Sequence, residues 1–224
     1  MKYKAIIFDF DNTLSRTDKG VSGLILWSVN QFLPSESQVE FDYVFEQVKK
    51  MVHFDLALEK ICGDLQLDLQ EVLNMYRSNS RRIKYTCCDG VIDLFKKLEL
   101  KYPKVIKILV TNRINLLDLR MSDCGFGLSD FDKVLQPADQ AEKKPEAVLM
   151  QKALDYLHGF EVSAEEVVSV GDSVVDYIAS RTLGFDFFAV EGGSSQRGDF
   201  VEAGLDSGYI LKNMSDFMLR LEVN

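Results

Sequence analysis

The 224-residue sequence predicts an α/β fold, a parallel sheet with helices on both faces and an α-helical domain inserted after the first strand. Three observations carry that expectation. Short apolar, β-rich runs (Ala5 to Phe8, Val105 to Val110, Val167 to Val170) each stop abruptly at small polar or acidic residues. That is the pattern of strands buried on both faces whose C-terminal ends open into a crevice. Between the runs lie segments with apolar residues at helical spacing. Finally, about 90 residues separate Asp11 from Val105, where a whole βαβ unit takes about 30.

The first strand, Ala5 to Phe8, gives way to Asp9-Phe10-Asp11-Asn12-Thr13. Side chains at i and i+2 of a strand point the same way, so the spacing predicts that Asp9 and Asp11 converge and repel unless a cation lies between them. Mg²⁺ suits such a place, because it takes one or two carboxylates and leaves its other positions to water and phosphate oxygens. The bland alternative is a pair of acids capping the next helix.

The excess length reads as helices at Val21 to Leu33, Phe41 to Val52, Asp55 to Ile61 and Leu69 to Tyr76, with breaks at Pro34, Gly63 and Asp64. This places a helical domain at 17–84 and an α/β core at 1–16 and 85–224. The chain returns through Tyr85 to Gly90, and Val91 to Leu98 forms the helix before the second strand. That strand ends in Thr111-Asn112, whose hydroxyl and N–H donors suit a phosphate oxygen. Thr111 could instead cap the following helix. Lys143-Lys144-Pro145-Glu146 opens a helix from Ala147 to Leu157, with proline in the first turn. The third run leads into Gly171-Asp172-Ser173-Val174-Val175-Asp176, where Asp172 could complete a metal site. Helix Ile178 to Leu183, strands at Phe187 to Val190 and Tyr209 to Leu211, and a closing helix from Ser215 to Leu221 finish the chain. Gly192-Gly193-Ser194-Ser195 lacks a Walker pattern and reads as a turn at the rim.

Composition narrows the class without naming it. With 46 % apolar residues the chain can bury a large core plus an insertion. A net charge of −9, with Lys and Arg scattered, argues against nucleic acid as a partner. Cys62, Cys87, Cys88 and Cys124 show no C-x-x-C spacing, which fits reduced thiols better than disulfides or zinc. No leader precedes the first strand and no apolar stretch approaches the ~18 residues of a membrane span, so a cytoplasmic protein without membrane association is expected. A monomer or weak homodimer is the expected state. Asn213-Met214-Ser215 matches a glycosylation acceptor, a chance match on this reading. His53 and His158 lie beside no motif and are expected to be structural or exposed.

Taken together, Asp9-Phe10-Asp11-Asn12-Thr13, Thr111-Asn112, Lys144-Pro145 and Gly171-Asp172 with Asp176 resemble, in order, the four motifs of the haloacid dehalogenase-like hydrolase superfamily. The resemblance spans essentially the whole chain. It is nearest to members with a helical cap after the first motif, such as phosphoglycolate phosphatase and β-phosphoglucomutase. Asn12 stands where many relatives have glycine, and asparagine also tolerates unusual backbone angles. The resemblance implies a Rossmann-like core, and a small phosphorylated metabolite hydrolysed with Mg²⁺ through an aspartyl phosphate. It implies Asp9 as nucleophile and Asp11 as general acid and base. The metal would be held by Asp9, the Asp11 backbone carbonyl and Asp172, with Ser173 and Asp176 in support. Thr111, Asn112 and Lys144 would hold the phosphoryl oxygens, Lys144 also restraining Asp9. Only the Lys-Pro pattern selects Lys144 over Lys143.

Rival functions differ at particular positions. Dehalogenases and phosphonoacetaldehyde hydrolases of the superfamily generally lack an acid at the position of Asp11. A phosphonatase would also need an amine in the cap, for which Lys49 and Lys50 are only guesses. A phosphomutase uses the same core and stays open. A signalling receiver domain places its phosphoacceptor on a later strand, and a non-catalytic phosphate-binding protein would have no use for every catalytic position. Substrate choice is expected in the cap, on the turn from Ser15 to Gly20 with Arg16 and Lys19, and at Arg77, Arg81 and Arg82. For those arginines a solvated helix end is the more frequent explanation.

Overall fold

The computed structural model describes residues 2–50, 54–82 and 84–223, which divide into two compact units, 1–15 with 87–224 and 16–86. In the larger unit six strands form one sheet: β1 (Ala5–Phe8), β2 (Ile106–Val110), β3 (Lys133–Leu135), β4 (Val167–Gly171), β5 (Asp186–Val190) and β6 (Ile210–Leu211). All pairings are parallel, in the order β3-β2-β1-β4-β5-β6. The order reverses between β1 and β4, so the connections leaving these neighbours run to opposite sides and leave a crevice at their C-terminal ends.

Period-two alternation explains why β1 is apolar throughout. Ile6 and Phe8 enter one core with Val91, Leu94 and Leu98 of helix α5 (Val91–Lys101) and Phe217 and Leu221 of the closing helix Met214–Val223. Ala5 and Ile7 enter the other with Leu149, Ala153 and Leu157 of the helix Val148–His158 and Ala179 of the helix Val174–Thr182. All four β1 residues are fully buried, and burying a large apolar side chain contributes about 1.5–3 kcal/mol. Phe8 stacks on Phe95 at 5.6 Å, and Phe10 meets Phe126 edge-on at 6.3 Å. This aromatic layer lies under the strand end that carries the acids.

The smaller unit holds four helices among the described residues, α1 (Thr17–Asn30), α2 (Phe41–Lys50), α3 (Phe54–Asp64) and α4 (Leu69–Asn79). They close around their own core of Val21, Ile25, Val44, Leu58, Ile61 and Val72. Helix α1 begins at Thr17, so the segment expected as a turn from Ser15 to Gly20 is largely helical. Gly63 lies within the last turn of α3 rather than breaking it. Met51, Val52 and His53, at the expected end of α2 and beyond it, fall outside the described residues.

Elsewhere the elements follow the reading with two kinds of difference. Strand β3, the helix α6 (Leu117–Asp123) and the helix Arg197–Glu202 are additional. The helix expected from Ala147 starts at Val148 with Ala147 in the capping position, so Pro145 lies in the preceding turn and not in a first helical turn. The remaining helices are accordingly α7 (Val148–His158), α8 (Val174–Thr182), α9 (Arg197–Glu202) and α10 (Met214–Val223). All four cysteines are free thiols, and His158 is exposed at the end of α7. No helix among the described residues is long and apolar enough to cross a membrane.

Candidate active site

Asp9 follows β1 and continues its ladder, its N–H donating to the Val170 carbonyl at 3.0 Å. Asp172 and Asp176 approach from the end of β4 and the first turn of α8. Each of the three offers a carboxylate oxygen within 4.8 Å of the others, and all three residues are buried. Lys144 enters from the β3–α7 connection. Its Nζ donates to Asp9 Oδ1 at 2.6 Å and to the Val110 carbonyl at 2.9 Å, and it pairs with Asp176 Oδ1 at 2.6 Å.

Three buried carboxylates thus cluster with one ammonium, which pairs with Asp9 and Asp176, and burial dominates the titration of Asp9 and Asp172. It pushes the Asp9 carboxyl up to about 7, against the pull of Lys144, with further upward pressure from Asp176 and Asp11. Burial, then Asp9 and Asp176, hold Asp172 well above the ordinary aspartate range. Burial works against the charge on Lys144, but Asp176 and Asp9 overcome it and raise its pKa. Asp176 Oδ1, though ion-paired, accepts no aligned hydrogen bond. A hard divalent cation fits this donor set, since one ammonium leaves three clustered carboxylates with excess negative charge for it to offset.

The other expected residues sit around this group. Ser173 precedes α8 and donates its N–H and hydroxyl to Asp176 Oδ2, at 3.2 and 2.6 Å. Thr13 lies 3.5 Å from Asp172 Oδ1, and Asn12 takes a left-handed conformation (φ 59°), which asparagine tolerates. Thr111 is fully buried and its Oγ1 accepts the Arg113 N–H at 3.1 Å. Helix α6 starts only at Leu117, so Thr111 does not cap it.

Asp11 and Asn112 behave differently from the simple reading. Strand β1 ends at Phe8, and the alternation rule stops there. The Asp11 carboxylate is outside the three-acid group and held instead by Arg113, whose Nε and Nη2 donate to it. Asn112 clamps the main chain of Lys144, accepting its N–H at 2.8 Å and donating to its carbonyl at 3.0 Å. The side chain expected on a phosphoryl oxygen therefore fixes the lysine. Arg113 escaped sequence reasoning, although it directly follows Thr111-Asn112.

The Gly192–Ser195 turn also has a definite task. Ser194 N–H donates to Asp172 Oδ2 at 2.6 Å and Ser195 N–H to the Asp172 carbonyl at 3.2 Å. A Cβ on Gly193 would overlap the Asp172 carboxylate. Gly193→Ala is therefore expected to displace Asp172 and, if this acidic group holds a divalent cation, to weaken that binding about tenfold or more, the range for disturbing the groups that orient a metal ligand. A calorimetric Mg²⁺ titration indistinguishable from wild type would contradict this.

A family model of haloacid dehalogenase-like hydrolases matches residues 6–190. Similar solved structures include one assigned as a phosphoglycolate phosphatase from Lactobacillus delbrueckii subsp. bulgaricus, with TM-score 0.71, 20 % identity, and coverage of 97 % of this chain and 98 % of that one. A Thermotoga maritima structure assigned as a β-phosphoglucomutase has TM-score 0.77 and 17 % identity, covering 98 % of this chain and 99 % of that one. CbbY from Rhodobacter sphaeroides, in complex with phosphate, has TM-score 0.63 and 18 % identity, with 94 % of each chain covered. At such identities these likenesses bear on the fold. No curated protein matches the chain in sequence. The family match runs over residues 6–190 and encloses all four edge motifs, and the chain belongs to the haloacid dehalogenase-like hydrolases.

Proposed function

We propose that the protein is a Mg²⁺-dependent phosphatase that hydrolyses a small phosphomonoester through an aspartyl phosphate on Asp9. The observation that carries the reading is the buried cluster of Asp9, Asp172 and Asp176, two of them paired with the Lys144 ammonium, at the C-terminal end of a parallel sheet. A phosphate dianion cannot enter a site with that excess of negative charge unless a cation offsets it.

Asp9 Oδ attacks phosphorus, forming a new P–O bond as the ester P–O bond breaks, and Asp11 gives a proton to the departing oxygen. In the second half Asp11 takes a proton from water as the water oxygen attacks phosphorus, and inorganic phosphate leaves with the Asp9 carboxylate regenerated. Lys144 keeps Asp9 in place and offsets charge on the transferred group. Thr111 accepts a main-chain N–H through its oxygen and so retains its hydroxyl proton for a phosphoryl oxygen. Asp9, Asp172 and the Asp11 carbonyl would hold Mg²⁺, which supplies positive charge to the phosphoryl oxygens when bound. Selection of the leaving group is assigned to the helical insertion, read as a cap.

The purified protein is expected to release phosphate from a generic aryl phosphate in Mg²⁺ and to stop when the metal is chelated. Undiminished activity in excess EDTA would sink the metal assignment. The protonation of the site adds a second expectation. Asp9 and Asp172 hold protons more tightly folded than unfolded, so the metal-free protein loses stability as pH rises through the interval from the ordinary aspartate range to about 7. Cation binding needs these acids ionised, so its stabilisation grows over that same interval. The rise in melting temperature on adding Mg²⁺ should be larger at about pH 8 than at about pH 5. Equal shifts would show that the acids are already ionised in the metal-free state.

A further inference from the structure

Arg113 stands at the same sheet edge and has no part in the reaction described above. Its Nε donates to both oxygens of Asp11, at 3.0 and 3.2 Å, and its Nη2 to Oδ1 at 2.5 Å. A guanidinium fork of this kind fixes the plane of a carboxylate as well as its position, which a lysine ammonium cannot do. The side chains are only 16 % and 32 % exposed, for Arg113 and Asp11 respectively, so this is not one of the solvated surface pairs that contribute little.

Arg113 is itself anchored. Its N–H donates to Thr111 Oγ1 at 3.1 Å, its carbonyl accepts from Gln136 Nε2 at 2.7 Å, and its guanidinium lies 5.7 Å from the centre of the Phe10 ring. The anchors come from the end of β2, from beyond β3 and from the residue between Asp9 and Asp11. The pair therefore ties Asp11 to the same backbone that carries Thr111 and, through Asn112, Lys144.

We propose that Arg113 is a positioning residue for Asp11, holding the acid–base carboxylate in register with the groups that receive the phosphoryl group. The inference rests on the phosphatase reading and deepens it. Arg113 acts through Asp11 and makes no contact with substrate. During a turnover the Asp11 carboxylate forms as its proton goes to the leaving oxygen, is held by the guanidinium, and takes the next proton from water. A carboxylate that wanders by about 1 Å costs on the order of 10²-fold in rate.

The test compares phenyl phosphate, whose phenolate leaves with a proton, and dinitrophenyl phosphate, whose anion leaves without one, at saturating Mg²⁺. Wild type, Arg113→Ala, Arg113→Lys, Asp11→Asn and the Arg113→Ala/Asp11→Asn double variant are assayed. In Arg113→Ala the ratio of kcat/KM for phenyl phosphate to that for dinitrophenyl phosphate is expected to fall on the order of 10²-fold. The inhibition constant of inorganic phosphate should stay within a fewfold. Arg113→Lys should recover only part of the ratio, and the double variant should be no slower than Asp11→Asn alone, because coupled groups do not add. Turnover of dinitrophenyl phosphate by Arg113→Ala shows that the variant is folded.

Equal losses on the two esters, a weakened phosphate inhibition constant, or a full additional loss on top of Asp11→Asn would assign Arg113 to phosphate binding or to the fold and overturn the proposal. A wild-type protein inactive on both esters refutes the phosphatase reading itself. Active wild type, impaired Asp11→Asn and unimpaired Arg113→Ala refute this inference alone.

Discussion

Asp9→Asn is expected to lose turnover on the order of 10⁶-fold, the scale seen when a covalent nucleophile is removed. Asparagine keeps the shape of the side chain and an oxygen for the Lys144 ammonium, which also retains the Val110 carbonyl and Asp176. The fold should therefore survive, and the variant's melting temperature checks that it does. What disappears is the anionic oxygen that would bond to phosphorus. Rapid acid quenching with radiolabelled substrate should trap a phosphoryl adduct on wild type and none on Asp9→Asn. Asp11→Asn should slow turnover by about 10²- to 10⁴-fold, the usual contribution of a general acid or base. Near-native turnover in Asp9→Asn would rule out covalent catalysis at that residue.

The central strands were legible in the sequence because burial on both faces leaves little room for polar residues: β1 is apolar throughout, and β2, β4 and β5 are predominantly apolar, with Lys107 inside β2, Ser169 inside β4 and Asp186 opening β5. Strand β3 was not, since three residues beginning with an exposed lysine and paired only to β2 carry too short a pattern. Helix α9, with six residues, fails for the same reason. In the site, Asp9, Asp172 and Lys144 could be placed because each stands where a strand or turn releases the chain at the sheet edge. The partner of Asp11 could not. Strand alternation predicts which way a side chain points while the strand lasts, and β1 ends before Asp9. Beyond it the turn through Asn12 decides, and nothing local in the sequence says that a guanidinium about 100 residues later completes the arrangement. Asn112 shows the same limit, since its clamp on Lys144 depends on two segments meeting through the fold.

Lys144→Ala is expected to lower turnover by about 10²-fold or more, comparable to the loss of one preorganised donor to transition-state charge. The adjacent Lys143 offers an internal control, because the two lysines share a loop but not an environment. Lys144 is buried between Asp9 and Asp176, with its main chain held at both polar atoms by Asn112. Lys143 is half-buried, its N–H merely closing a turn on the Gln140 carbonyl. Removing Lys144 leaves its two acids facing each other without a cation. The variant should also lose about 3–5 kcal/mol of stability, as when one partner of a buried ion pair is deleted, and Mg²⁺ should restore part of it. Lys143→Ala should remain within a fewfold of wild type in turnover and unchanged in melting temperature. Phosphate release and thermal melting of both variants, with and without Mg²⁺, decide the matter. A larger loss at Lys143 would place the phosphoryl-facing lysine one residue earlier and would contradict the geometry around Asp9.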